Sequence, residues 1–308
     1  MIINTHSHIY DEAFDADREE VFQRALDVGV TMLLLPNTDE STIKPMMDFY
    51  VQHPDNVRVM MGLHPEEVKE DYKKKLKIIE EEISPLATLG RNDRYNNVGR
   101  NDRYNNVGRN DGNNVGRNDR YSNVGRNDRY NNVGRNDGPL VGIGEIGLDF
   151  YWDDTFKKEQ IEVFTEQLRW AKSQFLPVSI HTRNAFKEMF RVLEREQDGR
   201  LAGVMHCFNG TYEEARTAIS YGFALGLGGV ITYKNCGVKD FLEHIPMENI
   251  VLETDDPYLP PVPYRGKRNE PAYIVKTAEK VAEIYGVTTE DICKTTTENA
   301  IKLFKLAS

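Results

Sequence analysis

The chain is poor in cysteine, with three (Cys207, Cys236, Cys293) in 308 residues and no CxxC pair. Three thiols so spaced build neither a disulfide framework nor a thiolate zinc module, and the usage fits a reducing, cytoplasmic setting. Long apolar runs are also missing. The longest, Met32–Leu35, falls far short of the ~20 residues that a membrane-spanning helix needs. The opening MIINTHSH lacks the basic start and apolar stretch of a secretory leader. Positive charge is in deficit: 39 Lys and Arg face 49 Asp and Glu, a net −10. That excludes a protein that holds nucleic acid by bulk positive charge. Phosphate chemistry would need local cations, from a few side chains or from metal. No feature calls for an obligate protein partner.

What is present falls into two parts. Residues 90–138 are low-complexity: GRNDRYNNV begins at Gly90, Gly99 and Gly125, GRNDRYSNV at Gly116, a shortened GRNDGNNV at Gly108 and a last fragment at Gly134. The stretch holds ten Arg, six Asp and no Lys or Glu, so it carries +4 while the other 259 residues carry −14. A full unit offers one Val and one Tyr and no Leu, Ile, Phe or Met, too little apolar area to offset the entropy of ordering. Composition therefore reads as a flexible insertion in a single domain spanning 1–308. Alternation of Arg with Tyr also suits a nucleic-acid tether, which would make the chain a binding protein. A short β-solenoid is a third option, although the calcium-binding nonapeptide pattern is absent.

Outside the repeat, eight apolar, β-rich runs each end in polar or Gly-rich residues: Ile2–His6, Val30–Asn37, Val57–His64, Leu140–Asp149, Pro177–His181, Ala202–Asn209, Phe223–Ile231 and Asn249–Asp255. Helical patterns separate most of them. Asp15–Val28 places Val21, Phe22, Ala25 and Leu26 on one face, and Phe156–Ser173 does so with Ile161, Phe164, Leu168 and Ala171. Strands apolar on both faces, alternating with helices, imply a buried parallel sheet. Eight such units in 259 residues match a (β/α)8 TIM barrel, with a doubly wound open sheet as the runner-up. The repeat then occupies a helix-to-strand loop, between the helical segment Tyr72–Ile83 and the fourth strand.

In such a barrel the chemistry sits at the C-terminal strand ends. Those ends carry His6, His8, Asn37, His64, Glu145, His181, His206 and Asp255, and so five of the seven histidines. On an extended strand His6 and His8 point to one side, about 6.6 Å apart between Cα atoms, and can converge on one cation. Glu145, between Ile143 and Ile146, is costly to bury without a cation or basic partner, and its two oxygens could bridge two metals. His181 and His206 each interrupt an apolar run. Asp255 ends NIVLETD, where it could ligate metal and take a proton from water, with Glu253 sharing the role or structural. Asp256, before Pro257, reads as a turn residue. Four imidazoles and two carboxylates suffice for a two-metal centre. Nitrogen and oxygen donors suit Mg, Mn, Zn or Fe without selecting among them. His64 could touch substrate or orient a ligand. Arg183 faces the same region, and Arg265, Lys267 and Arg268 form a basic loop that could accept phosphate. The same centre could instead serve a carbonyl hydrolase: an amidase, an esterase or lactonase, or a deacylase of aminoacyl-tRNA.

THSHIYD, GLHP, GEIGLDFY, SIHTR, MHCFNG and LETDDPYLPPVPYRGKRNEP, in that order, resemble the TatD family of metal-dependent deoxyribonucleases. The resemblance covers the chain except for residues 90–138. It implies a TIM-barrel hydrolase of the amidohydrolase superfamily, with two divalent ions at His6, His8, Glu145, His181, His206 and Asp255. It also implies DNA as substrate, which some members cleave as 3′→5′ exonucleases on single strands. Asn209 and Asp256 stand where Ser is common in the family, a difference that bears on specificity more than on chemistry.

Overall fold

The computed structural model describes residues 1–83, 85–86 and 138–306. Within them eight parallel strands form one sheet in chain order: β1 (Ile2–Asn4), β2 (Val30–Pro36), β3 (Val57–Met61), β4 (Leu140–Asp149), β5 (Val178–Arg183), β6 (Gly203–Met205), β7 (Phe223–Leu227) and β8 (Ile250–Leu252). The sheet closes on itself, because Thr5 N donates to Leu252 O and Asp255 N to His6 O, each at 3.0 Å. A closed ring of eight parallel strands is the TIM barrel, and closure excludes the open doubly wound sheet.

The outer layer comprises α1 (Arg18–Asp27), α2 (Glu40–Gln52), α3 (72–83), α4 (Lys157–Gln174), α5 (Phe186–Glu196), α6 (Tyr212–Ser220), α7 (Ile274–Tyr285) and α8 (Thr289–Phe304). Each buries an apolar stripe on the sheet, as α4 does with Val163, Phe164, Leu168 and Ala171. Starts are fixed locally. Thr211 with Glu214 and Thr288 with Asp291 form capping boxes that satisfy the first backbone donors of α6 and α8. Between β7 and β8 four short 3-10 turns replace a helix, where Gly228, Gly229, Gly237 and Pro246 break the helical period.

The hydrogen-bonded ladders are shorter than the apolar runs of the sequence. His6, His8, His206 and Asp255 lie beyond the last ladder residues of β1, β6 and β8. Cys207 (φ 46°) and Asp255 (φ 58°) adopt left-handed backbone there, which takes the chain out of the extended conformation. The His6-x-His8 pair is thus carried past the strand, not on it. The repeat lies outside the described residues except for Gly138. Its flanks are described: α3 leads into it, and Pro139, whose carbonyl accepts from Val59 N at 2.9 Å, begins the return into β4.

Candidate metal centre

Glu145 is the hub. Its Oε2 lies 3.2 Å from His6 Nε2 and 3.6 Å from His8 Nε2. Its Oε1 lies 3.0 Å from His181 Nδ1, 3.3 Å from His64 Nε2 and 3.8 Å from His206 Nε2. Asp255 Oδ1 faces the same centre, 3.6 Å from His8 Nε2 and His206 Nε2 and 3.8 Å from His6 Nε2. Two glycines permit this convergence. At Gly147 (φ 145°) a Cβ would strike the carbonyl of His181, so only glycine lets β4 and β5 approach. A Cβ on Gly226 would occupy the space of the Glu253 carboxylate.

The outward nitrogen of each of these imidazoles has a polar group beside it. Tyr10 gives its hydroxyl proton to Pro36 O (2.5 Å) and so accepts from His8 Nδ1 (2.9 Å). Neutral His8 therefore turns a bare Nε2 toward the centre. His6 Nδ1 meets Ser179 Oγ at 3.2 Å. The two Nε2 atoms of His6 and His8 are 3.1 Å apart, a separation at which opposed lone pairs repel unless a proton or a cation lies between them. His206 Nδ1 sits 3.0 Å from Glu253 Oε1, a carboxylate that also accepts from Cys207 N at 2.6 Å. His181 Nε2 is held by Asp149 Oδ2 at 2.8 Å.

Charge follows from this packing. Burial would raise the Glu145 carboxyl, but His64, His6, His206 and the bond from His181 hold it well below the ordinary value. Burial opposes charge on His181 and His206 too. Asp149 and Glu145 nevertheless raise His181 to about 9, and Glu253, Asp255 and Glu145 raise His206 to about 10. The carboxylates thus attract positive charge into a desolvated site, which protons supply and a divalent cation would displace. Burial pushes the Cys207 thiol well above its usual value, so it stays protonated and offers no thiolate. Three donor sets are compact enough for an ion: His6, Glu145 and His206; His6, His8 and Asp255; and His64, Glu145 and His181. The chemistry of the donors fits a hard or borderline divalent ion.

All six ligand candidates of the sequence therefore gather in one cluster around Glu145, spread over those three donor sets, and His64 joins them more closely than a substrate contact requires. Arg183 lines the adjoining cavity of about 690 Å³. The basic loop divides. Arg265 packs its guanidinium on Tyr233 at 4.1 Å, whereas Arg268 grips Asp17 with two bonds of 2.7 and 2.8 Å, donates to Ala13 O and stacks on Phe14. Arg268 is thereby committed to fastening the loop to α1. Neither Arg265, Lys267 nor Arg268 is among the residues that line the cavity. Asp256 is no exposed turn residue either. It is fully buried and accepts from Ser7 Oγ (3.0 Å) and from Thr254 Oγ1. Asp149, Ser179 and Tyr10 escaped the sequence reading altogether. The only signal for Asp149 was a second acid four residues after Glu145.

Barrel and donor cluster together define a metal-dependent hydrolase built on a TIM barrel. The TatD related DNase family model matches residues 3–305, and the chain belongs to that family. It is 32% identical over 307 residues to an uncharacterized metal-dependent hydrolase, YabD, of Bacillus subtilis, covering 99% of this chain and 100% of that one. It is 37% identical over 171 residues to the 3′-5′ ssDNA/RNA exonuclease TatD of Cronobacter sakazakii, covering 54% and 65% of the two chains. The solved structure of YJJV, a TatD homologue of Escherichia coli K12, shares the fold with a TM-score of 0.75 at 24% identity, over 99% and 98% of the chains. No helix among the described residues is long and apolar enough to cross a membrane.

Proposed function

We propose that the protein is a cytoplasmic deoxyribonuclease that hydrolyses phosphodiester bonds of DNA with two divalent ions, Mg, Mn or Zn. The observation that carries this reading is Glu145, whose two oxygens face two separate groups of imidazole nitrogens. His6, His8 and Asp255 would hold one ion, His181 and His206 the other, and Glu145 both. When bound, such ions would polarise the phosphoryl oxygen and lower the pKa of water. Asp255 is the proton acceptor by its place beside His6, His8 and His206; its carboxyl, despite burial, is kept below the usual range by His206, His8 and His6 and so is ionised. Glu253 and Asp149 fix the rings of His206 and His181. Choice of DNA as substrate is supported by the named activity of the Cronobacter relative and by a cation, Arg183, at the cavity wall.

The test is hydrolysis of end-labelled single-stranded DNA by metal-reconstituted protein, beside EDTA-treated protein and a neutral lactone or ester substrate. Metal-dependent cleavage of DNA is expected. Turnover of the lactone or ester with no cleavage of DNA would replace the nuclease reading with the carbonyl-hydrolase one.

A further inference from the structure

The loop after β4 carries two exposed aromatic residues at the cavity mouth. Trp152 is 72% exposed and Tyr151 50%, although indole is ordinarily a buried group. Their rings meet edge to face with centroids 4.7 Å apart. The Arg183 guanidinium lies 3.8 Å from the Tyr151 ring centroid and 5.2 Å from that of Trp152. Trp152 and Arg183 both line the cavity that contains Glu145, His181 and Asp255. Among the described residues Arg183 is the one Arg or Lys on that lining, against the acids Asp11, Glu66 and Glu67 elsewhere on the wall. Among the described residues no carboxylate lies within 4.0 Å of its guanidinium, and none accepts from its five N–H donors.

This corner is tied rigidly to the centre. Asp149 Oδ2 holds His181 Nε2 at 2.8 Å, while its Oδ1 accepts from Tyr151 N at 2.9 Å. Arg183 pairs in register with Asp149 across β4 and β5 and accepts from Phe150 N at 3.0 Å. One carboxylate therefore orients a ring of the metal cluster and pins the aromatic loop. Arg183 stands two residues beyond His181, about 6.6 Å along the strand.

We propose that Trp152, backed by Tyr151 and Arg183, is the platform on which an unpaired base of the substrate stacks, with the free guanidinium donors on the neighbouring phosphate. An exposed indole supplies a flat apolar face to any base. A stacked guanidinium with open N–H groups supplies the fork that a phosphate accepts. The acids on the far wall repel a polyanion, so the strand approaches over β4 and β5. The platform is a specificity device that acts on binding and on placing the scissile bond. It rests on the nucleic-acid reading above.

The chain has two Trp, and the other, Trp170, is buried in α4. In a Trp170→Phe background the fluorescence reports Trp152 alone. Titration with a short oligodeoxythymidylate should quench it, and a strand of equal length lacking bases should not. Trp152→Ala should weaken binding of the thymidylate about tenfold, with Trp152→Phe recovering most of the loss. It should leave binding of the abasic strand unchanged. Arg183→Gln should flatten the salt dependence of affinity by about one phosphate contact. Equal affinity of Trp152→Ala for both strands and unaltered thymidylate binding would overturn the platform. So would a failure of thymidylate to bind at all. Binding needs no turnover, so the two readings part cleanly. Base-dependent quenching without metal-dependent cleavage sinks the nuclease alone, and cleavage indifferent to Trp152 and to the base sinks the platform alone. Because Trp152 is exposed, its removal leaves thermal stability as an independent check on folding.

Discussion

The floor and the mouth of the barrel are made by the same strands, a few residues apart, and their side chains are of opposite character. At the floor Ile3, Leu34, Met60, Val141, Val204 and Val251 form an apolar cluster closed from below by Phe304 and Leu306, from the end of α8 and just past it. Two residues above Val204 stands His206. Two and four above Val251 stand Glu253 and Asp255, and four above Val141 stands Glu145. The pleat sends alternate residues inward along each ladder, and where the ladders of β6 and β8 end the left-handed turns at Cys207 and Asp255 take over, so the interior runs from apolar to polar as it climbs. The comparison separates two roles: the floor holds the strands in register, and the mouth uses that register to bring imidazoles and carboxylates within 4 Å of one another. Substitutions at the two ends should fail in different ways.

The largest effect should come from the mouth. Glu145→Gln or Asp255→Asn should reduce metal-dependent kcat about 10²–10⁴-fold, with circular dichroism and thermal midpoint close to the parent. Near-parental rates in Glu145→Gln under every metal would remove it from the centre. The floor should show the converse. Phe304 is fully buried beneath the strands, and Phe304→Ala should lower stability by about 3–5 kcal/mol, read by denaturant unfolding, while kcat per folded molecule stays the same. A fall in kcat without loss of stability would mean that the two ends are not separable.

This division also explains what could be read without the structure. The candidate donors were legible because several His and acids recur together at the ends of apolar runs, which the barrel brings to one place. The residues that orient those ligands were not. Asp149 reaches His181 through the β4–β5 register, Ser179 meets His6 from a strand 173 residues away, and Tyr10 matters because its proton goes to Pro36. Such pairings are fixed by closure of the barrel and leave no local pattern. Arg268 shows the opposite error. Its place in a basic loop suggested phosphate, but folding brings Asp17 beside it across 251 positions.

Asp149 offers the next test in size. Asp149→Asn keeps the shape but weakens the grip on His181, and should lower metal affinity or kcat about 10–100-fold. An unchanged rate would confine Asp149 to holding the loop. A smaller effect is expected at Arg268. Its pair with Asp17 is about one-third exposed on each side, so Arg268→Ala should cost less than about 1 kcal/mol and leave KM for DNA unaltered. The bond from Arg268 lowers the Asp17 carboxyl, so the pair stabilises the fold above the ordinary carboxylate pKa. That contribution is lost as pH falls through the lowered value, and the mutant and the parent should converge in acid. A raised KM would return Arg268 to the substrate path.

The smallest effect should come from the repeat, and it bears most directly on the contrast between floor and mouth. The chain leaves the described barrel after α3 and returns at Gly138, just before β4. Helix-to-strand connections of a (β/α)8 barrel lie at its N-terminal face, which here is the Phe304 floor. Glu145 and its partners stand at the other end of β4. Closing a longer loop costs only about 0.6 kcal/mol for each doubling of length, so an insertion at this face is tolerated. An insertion of the same size after a strand would stand over the metal cluster. Deletion of Gly90–Gly134 should therefore leave kcat on a short single strand, bound metal and the thermal midpoint within error of the parent. If kcat falls at saturating substrate, the repeat reaches the mouth and the separation of the two ends is wrong. If only the affinity for long DNA falls, the ten Arg of the repeat act as a tether that works from the floor.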